Sequence, residues 1–459
     1  MTHFKLVLLC VSLYFVGVIQ AAPTTITTTD DSSEALSFTT RTIWTIISSS
    51  VLTLFACIYS TIHPNIPSPK DSPLLILWRR LGIMLMALIA PELIVTWAMR
   101  QWFSARQVTR QFKKSGYPSV RPEPEESDHG SIEAPSERYA EVSTSKYEGT
   151  HTLTKPFRKL FEVYVSEQSE DYTWTQEHSF FALMGGFMLY VDGKPYHTLQ
   201  PDDILKLIRA GCIDAPTLTV KQIHDKSKSN GISKGLTVLQ VAWFVMQLIT
   251  RAIYHFETTQ LEVGTLAFAV LNFLTYAVWW NKPLNVQCPH PVYWKSTESR
   301  PEDHLDIPES NQVAGWGILF PVCHSIEELI SSPGLIPTSR KLRVPTFDGS
   351  IELEASNLLV LLLAGFLMVT IFGGIHCMAW FFAFPTHEEQ VLWRMSSAAI
   401  TCTPWFGFLT LLLSGGFPVY AVLYTAGRVT LLVLMFTTLR NLPPDAYKAV
   451  SWTSLVPHL

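Results

Sequence analysis

Two charged residues stand where charge is expensive. Glu92, in RRLGIMLMALIAPELIVTWAMRQW (79–102), and Arg428, in VLYTAGRVTLLVL (422–434), each sit well inside a long apolar run. A charge at the centre of a bilayer helix costs about 2.5–3.5 kcal/mol on insertion scales unless it is paired, wetted or neutralised. The two lie at similar depths, so a Glu92–Arg428 pair is geometrically open, and pairing would lessen each partner's desolvation cost. Such a pair suits a gate or proton site; its plainer use is to tie helices together. Pro91, just before Glu92, removes a backbone N–H and loosens the ladder one turn back, near Ala87, so a kink is expected. His376-Cys377, after Gly373-Gly374, adds a third intramembrane polar candidate. An imidazole there could take up a proton or bind metal, and its ordinary alternative is a hydrogen bond to a neighbouring helix.

Cys288, His290, Cys323 and His324 share one gap between apolar runs. Two Cys and two His could make a tetrahedral zinc site, but Cys-x-His and adjacent Cys-His are unusual ligand spacings. A Cys288–Cys323 disulfide and plain unpaired residues are the alternatives. His387-Glu388-Glu389 lacks the second His of a zinc-protease helix, and Gly185-Gly186 lacks the Lys-Ser/Thr of a phosphate loop. No nucleophile–base pair, acidic metal cluster or cofactor motif appears, so an enzyme is the weakest expectation. The formal charge of −4 gives no ground for nucleic acid.

The elements that must position these residues follow from composition. Charged residues are only 16% of the chain, against about 25% in average soluble proteins. The apolar residues are blocked into runs near 43–62, 81–99, 236–254, 263–280, 358–383, 396–413 and 417–439. Each is close to the roughly 20 residues that cross a hydrocarbon core. Trp and Tyr crowd their ends, as interfacial rings do. The expected fold is an all-α membrane bundle of about seven transmembrane helices, six being possible, with a small α-rich module between runs two and three. The lipid bilayer is its first partner.

Around the runs, residues 1–22 read as a secretory signal and 23–42 as a Thr/Ser-rich disordered segment, which places the protein in the plasma membrane or an endomembrane. Residues 43–99 hold the first two runs. Residues 100–114 form a basic amphipathic helix expected at the lipid surface. Residues 115–150 are a Pro- and Glu-rich disordered linker. Residues 151–235 are a folded module, a candidate protein-binding surface. Within it, 173–190 is too short for a span and 201–211 is a helix started by Pro201-Asp202-Asp203 and stopped by Gly211. Residues 236–280 form a helical hairpin, 281–356 a Pro-rich loop with one helix at 325–332, 357–439 three membrane helices, and 440–459 a short tail.

A conflict follows. A cleaved signal and seven spans leave gaps 100–235 and 281–356 outside. Yet those gaps carry most of the flanking Lys and Arg, among them Arg100, Arg106, Arg110, Lys113, Lys114 and Lys282, and positive charge favours the cytoplasm. The chain also has no Asn-x-Ser/Thr sequon. One repair is that run 81–99 dips into the membrane and returns, kinked at Pro91, leaving six spans with both gaps inside.

Several strings resemble a large set of uncharacterised fungal multi-pass membrane proteins: IHPNIP (62–67), ALIAPELIVTWAMRQW (87–102), HSFFALMGGF (178–187), TLAFAVLNFLTYAVWWNKPLNVQCP (265–289), IHCMAWFFAFPTHEEQVLWR (375–394) and LPPDAYKAVSW (442–452). The resemblance implies a fungal source and a shared helical membrane core. It carries no activity and no functional residue. Two functions stay open: a transport or channel-like protein with a polar path at Pro91-Glu92 and Arg428, and a receptor or scaffold that binds through its loops.

Overall fold

In a computed structural model, residues 38–117, 173–227, 231–295, 342–345, 347, 349, 351–414 and 418–450 are described. The signal segment, the linker 118–150, the helix expected at 325–332, Cys323 and His324 lie outside them.

The described chain is mostly helical. Helix α1 is Ile43–Thr61, begun by the Thr42 side chain accepting from the Thr45 N–H. Helix α2, Pro73–Ile89, starts with Ser72 as cap and proline in its first turn. Helix α3 is Pro91–Lys114, with Glu92 in its first turn and Lys113 and Lys114 in its last, the signs that suit a helix dipole. Later come α7 (Gly231–Ile253), α8 (Gln260–Val278), α9 (Ala355–Cys377), α10 (His387–Ser414) and α11 (Pro418–Thr437). Among the described residues five helical segments are long and apolar enough to cross a membrane: those at Ile43–Thr61, Gly235–Ile253, Gln260–Val278, Ala355–Phe381 and Val422–Arg440. The α2–α3 pair makes a sixth only if its bent halves count as one. The large apolar side chains left exposed, such as Leu239, Ile249, Leu359, Leu363 and Val433, form the kind of surface that lipid tails cover better than water.

Run 81–99 is therefore not one rod. It is split at Ala90, where α2 and α3 meet at 112°. Ala90 still donates to the Met86 carbonyl at 2.7 Å, but Pro91 has no N–H to continue the ladder. The kink expected at Pro91 is thus a full change of direction.

The module departs further from expectation. Helix α4 (Gln176–Leu183) runs into strand β2 (Phe187–Val191) through Gly185, which adopts φ +85°. Gly186 has no room for a side chain: a Cβ there would lie 2.3 Å from the Phe181 ring. The apolar string 173–190 is a packed helix–turn–strand. Strand β3 (Lys194–Thr198) pairs antiparallel with β2, and β4 (His290–Tyr293) pairs parallel on its other side, giving the order β3-β2-β4. Helices α5 (Pro201–Arg209) and α6 (Val220–Lys226) complete the module, and Gly211 at φ +69° follows α5 as expected. The module keeps three helices, but it is built on a sheet that the all-α expectation did not include and that reaches past residue 235. A parallel strand from the 281–356 gap is integral to it, because β2 is largely buried and its backbone N–H and C=O groups need ladder partners along both edges.

The basic helix 100–114 is the C-terminal part of α3. Its apolar side is not free for lipid: Ala105, Val108 and Phe112 are buried in one core with Trp174, Phe180 and Phe187, and Phe112 stacks on Trp174 at 3.7 Å. Module and α3 are one packed unit.

A second sheet joins the segments that flank the helical run. Strand β1 (Phe38–Thr40), from the last part of segment 23–42, pairs antiparallel with β5 (Lys448–Val450) in the tail. Arg41 reinforces the junction, reaching both carboxylate oxygens of Glu262 at 2.5 and 3.1 Å and the Ala446 carbonyl at 2.7 Å. Arg251 donates to the carbonyls of Asp445, Ala446 and Lys448. The segment before α1 and the segment after α11 thus sit at the same end of the bundle.

Candidate functional site

The bend at Ala90 creates a chemical problem inside an apolar bundle. When a helix ends, its last carbonyls lose their intrahelical donors. Here the second half of the element departs at 112° and cannot supply them. Arg428, near the middle of α11, does: its Nε donates to the Ile89 carbonyl at 2.6 Å and an Nη to the Leu88 carbonyl at 3.1 Å. The guanidinium lies over the Phe372 ring at 3.9 Å and near Phe268 at 5.2 Å, a cation–π setting that holds a desolvated charge. A cation placed at the C-terminal end of α2 also meets the negative end of that half-helix.

Glu92 is on the other side of the break, in the first turn of α3, where the helix dipole is positive. It is 4% exposed, and Arg428 is 1% exposed. The two do not form a direct ion pair among the described residues. Tyr424, one turn before Arg428 on α11, instead donates its hydroxyl to Glu92 Oε1. Glu92 Oε2 is buried without a donor among the described residues. So Glu92, Tyr424 and Arg428 do come together, but Tyr424 mediates. Sequence reasoning missed Tyr424, although its spacing of one helical turn from Arg428 put both on one face.

His376 joins the margin of this cluster. Its Nδ1 bonds to the Phe372 carbonyl one turn back at 2.9 Å, its ring lies 4.6 Å from Phe372, and Trp393 Nε1 donates to its carbonyl at 3.1 Å. Phe372 therefore links the His376 ring to the Arg428 guanidinium. Gly373 lets α10 approach: a Cβ there would lie 2.0 Å from Thr401 Oγ1.

A second polar cluster was not expected. Lys282, just past α8, is 2% exposed and points inward. Its Nζ donates to the His63 carbonyl at 2.7 Å, Gln101 Oε1 at 2.9 Å and Asn65 Oδ1 at 3.3 Å. It sits 4.6 Å from the Trp279 ring centre and 5.0 Å from that of Trp97. Burial holds this amine well below its ordinary pKa. The string WWNK (279–282) reads most simply as an interfacial snorkelling lysine.

The four candidate zinc ligands are not assembled by anything in view. Cys288 is exposed, and His290 begins β4, its N–H bonded to the Gly186 carbonyl at 2.6 Å. Burial, and Lys226 nearby, hold the His290 ring below its ordinary pKa. Cys323 and His324 lie outside the described residues, and among those described no group of three His, Cys, Asp or Glu could hold a metal.

Comparison with known proteins adds one result. Residues 9–300 match the model of a family of unknown function (DUF8562). The chain belongs to that family. Its matched region takes in the α2–α3 hairpin, the described module and Lys282, and ends before Arg428. No curated protein and no solved structure matches the chain.

Proposed function

We propose that this is an integral membrane protein of transport type, with its exchangeable polar site at Glu92, at the tip of a re-entrant α2–α3 hairpin. The observation that carries the reading is the buried carboxylate itself. One oxygen is held by Tyr424 and the other faces no donor among the described residues, at a helix break whose freed carbonyls are taken by Arg428. Broken helices whose half-ends meet inside the bundle are the usual way membrane transporters build ion and proton sites. Oε2 is the atom that would accept the proton.

The accompanying topology has six crossings: the five span-length segments of α1, α7, α8, α9 and α11, and with them α10, a helix of 28 residues that carries the apolar run 396–413 but is not among those five. The β1–β5 pairing favours an even number, since it holds the segment before α1 against the segment after α11. The hairpin then enters and leaves on the module side, which puts the basic gaps in the cytoplasm as the positive-inside rule prefers. Entry by the secretory pathway leaves the N-terminal segment and the tail on the opposite face. A tag after residue 459 and a tag before residue 38 should therefore show the same protease access in sealed vesicles, and a tag within 118–150 the opposite access. Opposite access at the two ends would sink the six-span topology.

The transport reading is tested by proton flux. In proteoliposomes with a trapped pH dye and an imposed potential, Glu92→Gln is expected to cut flux by about 10²-fold or more, the scale of a lost proton-transfer group. Equal flux from monodisperse wild-type and Glu92→Gln protein would reject it.

A scaffold reading has one observation in its favour: α3 and the module share a core, so a partner bound to the module would act directly on the hairpin. Undiminished flux in Glu92→Gln, with a partner retained by the module face of the full chain, would favour it.

A further inference from the structure

The C-terminal half of α3 carries a second site, far from Glu92. Arg106, Arg110 and Lys114 follow one another along the helix and line a cleft of about 260 Å³ with Gln107, Gln111 and Glu354. The three cations are exposed and make no ion pair among the described residues. Arg106 is held in place over the Trp102 ring at 4.6 Å. Charge alone would make this an ordinary solvated face. Two further observations separate it from one.

The first is that the side-chain amide oxygens of Gln107 and Gln111 are buried with no hydrogen-bond partner among the described residues. An amide oxygen is an acceptor only. A buried acceptor left unpaired costs free energy, so a ligand that satisfies the pair must bring O–H or N–H donors, which a bare phosphate lacks. Glu354 at the same cleft asks for donors too. The site therefore wants an anion and several donors in one molecule.

The second is where the cleft opens. Glu354 and Asn357 stand at the start of α9, and the next turns of that helix present Leu358, Leu359, Leu362 and Leu363, all exposed. An apolar rail leads directly away from a basic, donor-seeking cleft. That is the shape of a phospholipid, with its headgroup in the cleft and an acyl chain along α9. Basic pockets beside membrane helices on the cytoplasmic face are a recurrent setting for acidic headgroups.

We infer that the Arg106–Arg110–Lys114 cleft binds an anionic phospholipid with a polyol headgroup, of the phosphatidylinositol class. The cations hold the phosphate, Gln107, Gln111 and Glu354 accept from the ring hydroxyls, and the leucines of α9 hold the chain. This is independent of any transport at Glu92.

The test uses the full chain, released from nanodiscs containing equal amounts of phosphatidylinositol and phosphatidylcholine, with retained lipid counted by native mass spectrometry. Phosphatidylinositol should be retained at least about tenfold over phosphatidylcholine, a difference of 1.4 kcal/mol. The double variant Arg106→Gln/Arg110→Gln should lose that preference. Where the double variant is not monodisperse, Arg110→Gln alone should still weaken it. Gln107→Leu/Gln111→Leu should leave acidic-lipid binding but remove discrimination against phosphatidic acid, which has no hydroxyl ring. Equal retention of phosphatidylcholine would overturn the site. Wild-type retention of phosphatidic acid equal to phosphatidylinositol would overturn the polyol assignment. Displacement by soluble glycerophosphoinositol at matching concentration would overturn the lipid source in favour of a free headgroup.

Discussion

Arg428→Leu should destabilise the folded bundle by about 3–5 kcal/mol, the cost of removing one partner from a buried charged cluster. Three losses coincide. The Ile89 and Leu88 carbonyls lose charge-assisted donors, at about 1.5–3 kcal/mol for such bonds. The Phe372 and Phe268 faces lose their cation. Glu92 loses its one nearby positive charge while staying 4% exposed. Glu92→Gln should cost much less, about 1 kcal/mol, because the amide oxygen can still accept from Tyr424. In the double variant Arg428→Leu/Glu92→Gln the penalty should fall below the sum of the two by about 1 kcal/mol or more, the signature of coupled neighbours. Equilibrium unfolding in mixed micelles, followed by Trp fluorescence, gives all four values of the cycle. If Arg428→Leu melts with wild type, the guanidinium is not what holds the broken helix closed. The flux experiment is separable from this, since Glu92→Gln is the variant expected to lose transport while keeping its fold.

How far the sequence could be read depends on the range of the interaction that decides each feature. Helices α7, α8, α9 and α11 were legible because a run of about twenty apolar residues, buried from water, can satisfy its own N–H and C=O groups only as a helix. Start and stop signals such as Pro201-Asp202-Asp203 and Gly211 are local, and they bound α5 in the structure. The α2–α3 bend was only half legible. Pro91 announces a weak point, but the carbonyls exposed by a 112° turn are satisfied by Arg428, in the last apolar run. Nothing near Pro91 encodes that. The parallel β2–β4 pairing was not legible either, since four residues at His290–Tyr293 are too few to carry a period and their partner lies far up the chain. The β1–β5 pair is shorter still, and it bears on the topology that the charge count had left contradictory. Glu92 and Arg428 were found because a charge in an apolar run is conspicuous. Lys282 was overlooked because its position after two tryptophans has an ordinary explanation.

That oversight sets up the second large effect. Lys282→Met should cost about 1–3 kcal/mol, because it removes at once the donor shared by three buried acceptors. The His63 carbonyl lies in the turn after α1, Gln101 in α3 and Asn65 beside the module, where its amide donates to the Pro345 carbonyl at 2.8 Å. One ammonium thus joins the first helix, the hairpin, the end of α8 and the 342–349 segment. Methionine would fill the same volume between Trp97 and Trp279, so cavity formation is not the cause; the loss is of donors. A dependence on pH should accompany it. Burial depresses the folded-state pKa of Lys282 below the 10.5 of a free lysine, so between the two values the unfolded chain binds more protons. Stability from this group therefore rises with pH across that window and falls as pH drops through it. Wild type minus Lys282→Met isolates the slope from other titrating groups. Measured in the same micelles at stepped alkaline pH, the difference in unfolding free energy should shift in favour of wild type as pH rises. A difference that stays flat or shifts the other way would mean that the three oxygens and two indole faces compensate the desolvation in full, and that Lys282 is a charged keystone at every pH.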